Sequence, residues 1–377
     1  SRLVTERASQ AAVTQRAGRA ARQGPGIAYR LWEEAATAGL PEFDPPEIGE
    51  ADLSPLLLDC AIWGVSDPAT LRWLDPPSPA ALAGARARLL ALGAIDADGR
   101  PTAHGRAISR LPLPPRLAHM LLRAPDVGLA AAIALLLTER GLGGADPDLE
   151  TRLSRWRGDQ GKRAKAARAL ARRLAALAAP GHAADGDPAA AGHAIAATLA
   201  LAFPDWVCRR RDAAGERWLS AGGREFRLDP SHPLARSEWL AVGDIQGVAS
   251  GARILAAADL PAGDLDALFA GRISQTTSVQ FDAETGGVRT LSGRMLGAIA
   301  LTRAANAPAS AEEIGAALVA GVREHGLGII RWPDAAVALR SRARWAGLDV
   351  LGDDRLIAAL DEWLPAVVAG HRRLGDV

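Results

Sequence analysis

A multidomain, mainly α-helical chain with one small antiparallel β domain is what three features of this 377-residue sequence predict. Alanine-rich stretches with helical periodicity dominate residues 51–201. Short, partly alternating segments separated by Gly, Asp and Pro run from 204 to about 301, and helical periodicity returns from 308. The length allows two or three average domains with ample core. Lys+Arg 44 against Asp+Glu 43 leaves a formal charge of +1, so a charged partner must be met by a local patch. Only Lys162 and Lys165 are lysines, a bias that we assign to a GC-rich genome ahead of arginine chemistry. Cys60 and Cys208 match no metal or disulfide spacing and point to a reducing compartment. The longest apolar run, "VGLAAAIALLL" (127–137), is too short to span a bilayer, and no signal peptide is visible. A cytoplasmic protein with no membrane partner is expected.

Taken in order, residues 1–34 predict a strand in "RLVTE", a helix over roughly 9–22 and a second strand in "GIAYRLW". Two short strands and one helix cannot enclose a core, so this is a remnant of an α/β domain. Pro41, Pro45 and Pro46 mark a connection. "ADLSPLLLDCAIWGV" (51–65) predicts a helix whose buried side and end are Leu56, Leu57, Cys60, Ala61 and Trp63–Gly64. Residues 76–95 repeat the pattern with Leu82, Leu89, Leu90 and Leu92. Asp98-Gly99 then reads as a hairpin turn between short strands, and Thr102 as the cap of a helix ending before Pro112. Helix, helix, hairpin and helix over some 80 residues is a winged-helix pattern. Residues 116–201 read as helices broken at "GLGGADPD" (141–148) and "PGHAADGDP" (180–188). From Pro204 the short segments predict a sandwich or barrel. Residues 308–377 close with helices such as 311–326 and 353–364.

The chemistry concentrates in "QRAGRAARQGPG" (15–26). Arg16, Arg19 and Arg22 recur every third residue beside Gln15, near one side of a helix that "GPG" then stops. Guanidinium forks suit a terminal phosphate, and an amide can orient an attacking water. Arginines alone would suit a solvated helix face equally well. The whole pattern Q-R-x-G-R-x-x-R is more restrictive.

"QRAGRAAR" resembles motif VI of the DEAH-box ATP-dependent helicases, and "LVTERASQA" before it and "GIAYRLW" after it resemble that family's flanking segments. "LRWLDPPSPAALAGARARLLALGAIDADGRPTAHGRAISRLPLPPRLAHMLL" (71–122) is similar to the family's winged helix and the start of its ratchet domain. "AFPDWVCRRRD", "HPLARSEWLAVGDIQG" and "ARILAAADL" resemble the bacterial HrpB subgroup in particular. The resemblance implies five parts: the end of a second RecA-like domain (1–34), a winged helix (35–118), a helical ratchet bundle (119–203), an OB-like β domain (204–303) and an incomplete C-terminal helical region of HrpB type (304–377). It implies that Arg19 and Arg22 are arginine fingers for the ATP γ-phosphate, that Gln15 stands near the attacking water, and that Arg16 completes the nucleotide-binding motif. Ala21 departs from the family's glycine, which bears on close packing more than on catalysis.

The complementary half of an ATP site is not in this sequence. No G-x-x-x-x-G-K-[ST] loop occurs. "GDQGKR" (158–163) has two residues between its glycines and Arg163 where Ser or Thr must reach Mg²⁺, and "DEWL" (361–364) ends in leucine. The expectation is a carboxyl-side portion, lacking both ends, of an ATP-dependent helicase. ATP and Mg²⁺ would then be cofactors of the full-length protein and would not be bound by this segment alone. The segment would be inactive by itself, with the missing N-terminal RecA-like domain and single-stranded nucleic acid, RNA ahead of DNA, as partners. The alternative class is a non-catalytic nucleic-acid-binding or partner-docking module.

A second basic feature, "TRLSRWRGDQGKRAKAARALARRL" (151–174), holds nine Lys/Arg and one acid, Asp159. Arg155, Arg163, Lys165, Arg168 and Arg172 are candidate phosphate contacts and Trp156 a candidate base-stacking residue. By sequence alone the segment equally fits a solvated alanine-rich helix with Leu170, Leu174 and Leu177 turned inward. The ratchet resemblance tips the reading toward nucleic acid. Trp218, Trp239 and Phe226 suit a stacking platform or, as we favour from strand spacing, a core. His182 and His193 share a segment with no completing Cys or acidic cluster, so no metal site is expected.

Overall fold

The structure is a computed structural model that describes residues 7–49, 51–179, 191–247, 251–305 and 308–376. It divides into two compact units, Ser1–Val127 with Leu174–Ala183 and Gly128–Arg173 with Ala184–Val377. In the first, α1 (Gln10–Ala20) begins at Ser9, whose hydroxyl accepts the Ala12 N–H at 3.1 Å. The expected strand "RLVTE" lies outside the described residues. The expected strand "GIAYRLW" does not form: residues 25–32 have no regular structure, and Ile27, Tyr29 and Leu31 are exposed. A strand needs a ladder partner, and no described strand pairs with this segment.

After α2 (Glu34–Ala38), four helices follow: α3 (Ser54–Ile62), α4 (Pro79–Ala91), α5 (Ala103–Ser109) and α6 (Pro115–Arg123). Leu57, Leu58, Cys60 and Ala61 of α3 and Ala85 and Leu89 of α4 are buried. Three positions expected inward, Trp63, Gly64 and Leu90, turn outward. Trp63, just past the end of α3, is 82% exposed, and Leu90 stands one helical step off the buried Ala85–Leu89 stripe. The expected hairpin narrows to a single bridge, Ile95 to Pro101, around Gly99 at φ 80°. Thr102 caps α5 as expected, accepting the Gly105 N–H at 2.9 Å. A Cβ on Gly105 would stand 1.9 Å from the Ala94 carbonyl oxygen, so glycine lets that helix meet the bridge.

The second unit opens with α7 (Val127–Thr138) from Gly128 on, α8 (Leu149–Gly158), α9 (Lys162–Ala178) as far as Arg173, and α10 (Ala191–Ala202). A five-stranded barrel follows: β1 (Val207–Arg210), β2 (Arg217–Ser220), β3 (Glu225–Arg227), β4 (Trp239–Gln246) and β5 (Ala252–Asp259). It closes in the order β1-β2-β3-β5-β4, antiparallel throughout except for the parallel β3–β5 pair. Trp218, Phe226, Leu240, Val242 and Ile254 fill it. Gly243 leaves room for α7 and α10, since a Cβ there would lie 2.8 Å from Leu199 and 3.1 Å from Leu137.

Beyond α11 (Leu265–Phe269), a separate antiparallel sheet comprises β6 (Ile273–Asp282), β7 (Gly287–Leu296) and β8 (Ile299–Ala305). The segment expected as one β domain, 204–303, therefore carries two sheets. Val279, Phe281 and Val288 of the second sheet share a core with α12 (Ala311–His325) and α15 (Leu360–Val367). Gly321 is the contact point: a Cβ would stand 2.2 Å from the Phe281 ring. Between α12 and α15 lie α13 (Asp334–Trp345) and α14 (Asp353–Ala358).

Candidate functional site

The arginine edge is held from its N-terminal end. The first N–H groups of a helix have no partner within it. Here Gln10 and Ala11 donate theirs to the Pro41 and Glu42 carbonyls at 2.8 and 3.0 Å, and the Gln10 amide reaches the Leu40 carbonyl at 2.9 Å. Segment 40–44 thus clamps α1, and Val13 is its one buried residue. At the other end, a Cβ on Gly26 would stand 1.9 Å from the Ala20 carbonyl oxygen, so "GPG" folds tightly over the helix terminus. Ala21 sits at the C-cap with negative φ and is exposed, so its methyl is accommodated without strain.

Gln15, Arg16, Arg19 and Arg22 are all exposed, and among the described residues the three arginines make no ion pair. Gln15 and Arg19 lie one turn apart on α1, while Arg22 lies just past its end. Arg16 lines a cavity of about 630 Å³ with Val13, Ala17, Tyr29, Trp32 and Leu40. Gly18 has nothing within 4 Å of a built Cβ, so no described neighbour demands a glycine there. This edge presents uncompensated cations and an amide to whatever approaches it. Among the described residues no group of three or more His, Cys, Asp or Glu could hold a metal ion.

The basic segment sorts differently from its sequence pattern. Trp156 is 2% exposed and donates its indole N–H to the Ala164 carbonyl at 3.2 Å, which corrects the expectation that it stacks on a base. Arg152, one turn earlier on α8, is also buried and donates to the Leu136 and Leu142 carbonyls at 2.5 and 3.3 Å. Burial lowers its pKa from the usual guanidinium value, with Asp244 and Asp146 opposing. Arg168 donates to the Trp156 and Asp159 carbonyls at 2.7 and 2.8 Å, Arg163 donates to the Arg140 carbonyl, and Arg155 pairs with Asp146 at 3.3 Å. Arg168 thus ties the α8–α9 turn, while Arg163 and Arg155 hold the α7–α8 connection. What remains outward on α9 is Lys162, Lys165, Arg172 and Arg173, which a 100° step places within about a 100° arc. Ala164, Ala167, Leu174 and Ala175 face the opposite way and are buried. Of the three leucines expected inward, Leu170 and Leu177 are exposed. The signal for Lys162 and Arg173 was their helical step from Lys165 and Arg172, opposite the alanine face.

No family model matches the chain. It is 35% identical over 385 residues to the ATP-dependent RNA helicase HrpB of Escherichia coli (strain K12), covering 99% of this chain and 46% of that protein. Two crystal structures of Escherichia coli HrpB, one titled a DExH-box NTPase and one a DEAH/RHA helicase, superpose at TM-scores of 0.70 and 0.68 with 32% and 30% identity, each over 99% of this chain. The chain belongs to the DEAH-box helicase family. It corresponds to a C-terminal part like that of HrpB, and it spans about half the length of the HrpB chains it matches. The ATP-dependent RNA helicase HrpA of the same organism is 36% identical over 132 residues, which cover 34% of this chain and 10% of HrpA.

Within the helicase family's framework the remaining motifs resolve as structural. "GDQGKR" is the α8–α9 turn, in which the Asp159 carboxylate accepts the Gly161 N–H at 2.8 Å. "DEWL" lies in α15, with Leu364 buried, Asp361 paired to Arg323 at 2.6 Å and the Trp363 N–H on the Leu356 carbonyl at 2.9 Å. Trp218, Trp239 and Phe226 are core, as expected. His182 and the side chain of His193 lie outside the described residues. No described helix is long and apolar enough to cross a membrane.

Proposed function

We propose that this chain is the carboxyl-side part of an ATP-dependent RNA helicase of HrpB type, and that α1 is its nucleotide-sensing edge. The observation that carries the reading is the exposed set Gln15, Arg16 and Arg19 on α1 and Arg22 just past its end, with the helix clamped at both ends, within a chain whose relatives are RNA helicases. ATP, when bound to the whole protein with Mg²⁺, supplies a terminal phosphoryl group for transfer to water. Arg19 and Arg22 offer guanidinium forks that stabilise charge developing on that group. The Gln15 amide orients the attacking water, and Arg16 adds positive charge beside the cavity. The Gly18 position supports a close approach, because a mid-helix glycine with open space above it gives up about 1 kcal/mol relative to alanine for no local return. A first RecA-like domain would supply the phosphate loop and the Mg²⁺ ligands.

Residues 1–34, 35–118, 119–203, 204–303 and 304–377 then serve as RecA-like end, winged helix, ratchet, OB-like barrel and C-terminal region. The barrel's order with its parallel β3–β5 pair suits the OB assignment. Single-stranded RNA would run along the outward Lys162, Lys165, Arg172 and Arg173 of α9. Buried free thiols at Cys60 and Cys208 suit a reducing, cytoplasmic setting. Strand displacement by the whole protein tests this reading. ATP-dependent unwinding of a duplex with a single-stranded RNA overhang is expected, and failure to displace any overhang polarity or to hydrolyse ATP in response to RNA would contradict it.

A further inference from the structure

The C-terminal helix α13 buries little of itself. Of its twelve residues only Ala343 is buried, and it is seated by Arg340. That guanidinium lies 4.6 Å over the Trp332 ring, donates to the Leu351 carbonyl at 3.3 Å and pairs with Asp353. The helix then ends firmly. Gly347, at φ 72°, donates to the Arg344 carbonyl at 3.1 Å, and Leu348 to the Ala343 carbonyl at 2.9 Å, the paired bonds of a glycine-terminated helix. On this rigid stub Trp345 is 93% exposed. Ser341 and Ala338, one and two turns earlier on the same face, are small and exposed. Arg342 and Arg344 flank that face at about 60° and 100° to either side by helical step, both exposed and, among the described residues, without an ion pair.

Last-turn arginines gain roughly 0.3–1 kcal/mol from the helix dipole, so their presence has an ordinary explanation. The tryptophan has none. A large flat ring held in water between two free guanidinium groups matches what an unpaired base and its phosphates require. Of the acids nearest this helix, Asp353 is already taken by Arg340, Asp334 lies at the far end of α13, and Asp349 lines a small cavity with Arg344 without forming an ion pair with it. Resting on the RNA-helicase reading above, we propose that Trp345, Arg342 and Arg344 form a stacking site for single-stranded RNA, separate from the α9 stripe.

The test is equilibrium binding of fluorescein-labelled oligouridylate to the whole protein. Trp345→Ala should weaken binding about 5- to 100-fold, the range of base–aromatic stacking, and Trp345→Phe should retain most of the affinity. Arg342→Gln with Arg344→Gln should lower the slope of log K against log salt by about 1.4. Because the three side chains are exposed, melting temperatures should stay at the wild-type value. Trp345→Ala binding within about twofold of wild type with an unchanged salt slope would overturn the site. So would a change in oligomeric mass with unchanged RNA affinity, which would make the patch a protein-docking surface. If α9 variants lose binding while these do not, this inference fails and the helicase reading stands. A whole protein that binds no RNA fails both.

Discussion

At Gly26 one absent methyl group sets the course of the chain past the arginine edge. Gly26→Ala forces the new Cβ against the Ala20 carbonyl, 1.9 Å away, and neither backbone can yield without moving α1 or "GPG". We predict a local destabilisation of about 1–3 kcal/mol, read as accelerated amide exchange across α1, whereas Gly18→Ala should slow exchange there. Asp146 is a second decisive residue. Its carboxylate accepts the Asp148 N–H at 3.0 Å and pairs with Arg155 at 3.3 Å. His232 Nδ1 accepts the Leu234 N–H, so Nε2 carries the proton that is donated to Asp146 at 3.0 Å. Burial works against the Asp146 charge, but the Asp148 N–H, His232 and Arg155 outweigh it and hold its pKa below the usual carboxylate value. A depressed carboxylate contributes stability in full above its unfolded pKa, about 3.9, and loses it as pH falls through the lower folded value. The adjacent Ala257 N–H, which donates to the Pro147 carbonyl at 2.8 Å, reports this. Its protection, corrected for intrinsic rate, should drop below about pH 4. Asp146→Asn should lower that protection already at neutral pH. Unchanged protection in both cases would show the link to be idle.

Among the elements, α9 separates what sequence reveals from what it conceals. Its helix, its alanine face and its positive charge were legible from spacing and composition. The use of each cation across α8 and α9 was not, because Arg152 of α8 and Arg163 and Arg168 of α9 are consumed by carbonyls of Leu136, Leu142, Arg140, Trp156 and Asp159 that only the folded chain brings near. Trp156 misleads for the same reason: it is a core residue whose N–H finds a backbone acceptor. Capping by Thr102 was more readable, since that bond is local. The strand in "GIAYRLW" was not, since strand structure depends on a partner, and none is present among the described residues. The division of 204–303 into two sheets likewise rests on non-local pairing. For α9 we predict that replacing Lys162, Lys165, Arg172 and Arg173 with Gln reduces the salt slope of single-stranded RNA binding by about 0.7 per lost phosphate contact. The tied set Arg155, Arg163 and Arg168 should instead lower thermal stability. Equal salt slopes for both sets would contradict the sorting.

At the scale of the whole molecule, the chain contains a well-packed barrel and an α1 edge whose Gln15, Arg16, Arg19 and Arg22, the catalytic groups of the proposed reading, face open solvent. In the proposed reading this edge acts against a second surface that carries the nucleotide. The most direct test measures RNA-stimulated ATP turnover in the full-length protein, with ATP affinity determined alongside. Arg19→Ala and Arg22→Ala should each lower kcat by about 10³–10⁵, or roughly 4–7 kcal/mol of barrier, while the fold of α1, clamped at Leu40–Glu42, is retained. Turnover in both variants within about tenfold of wild type would contradict the assignment of α1 as the catalytic edge.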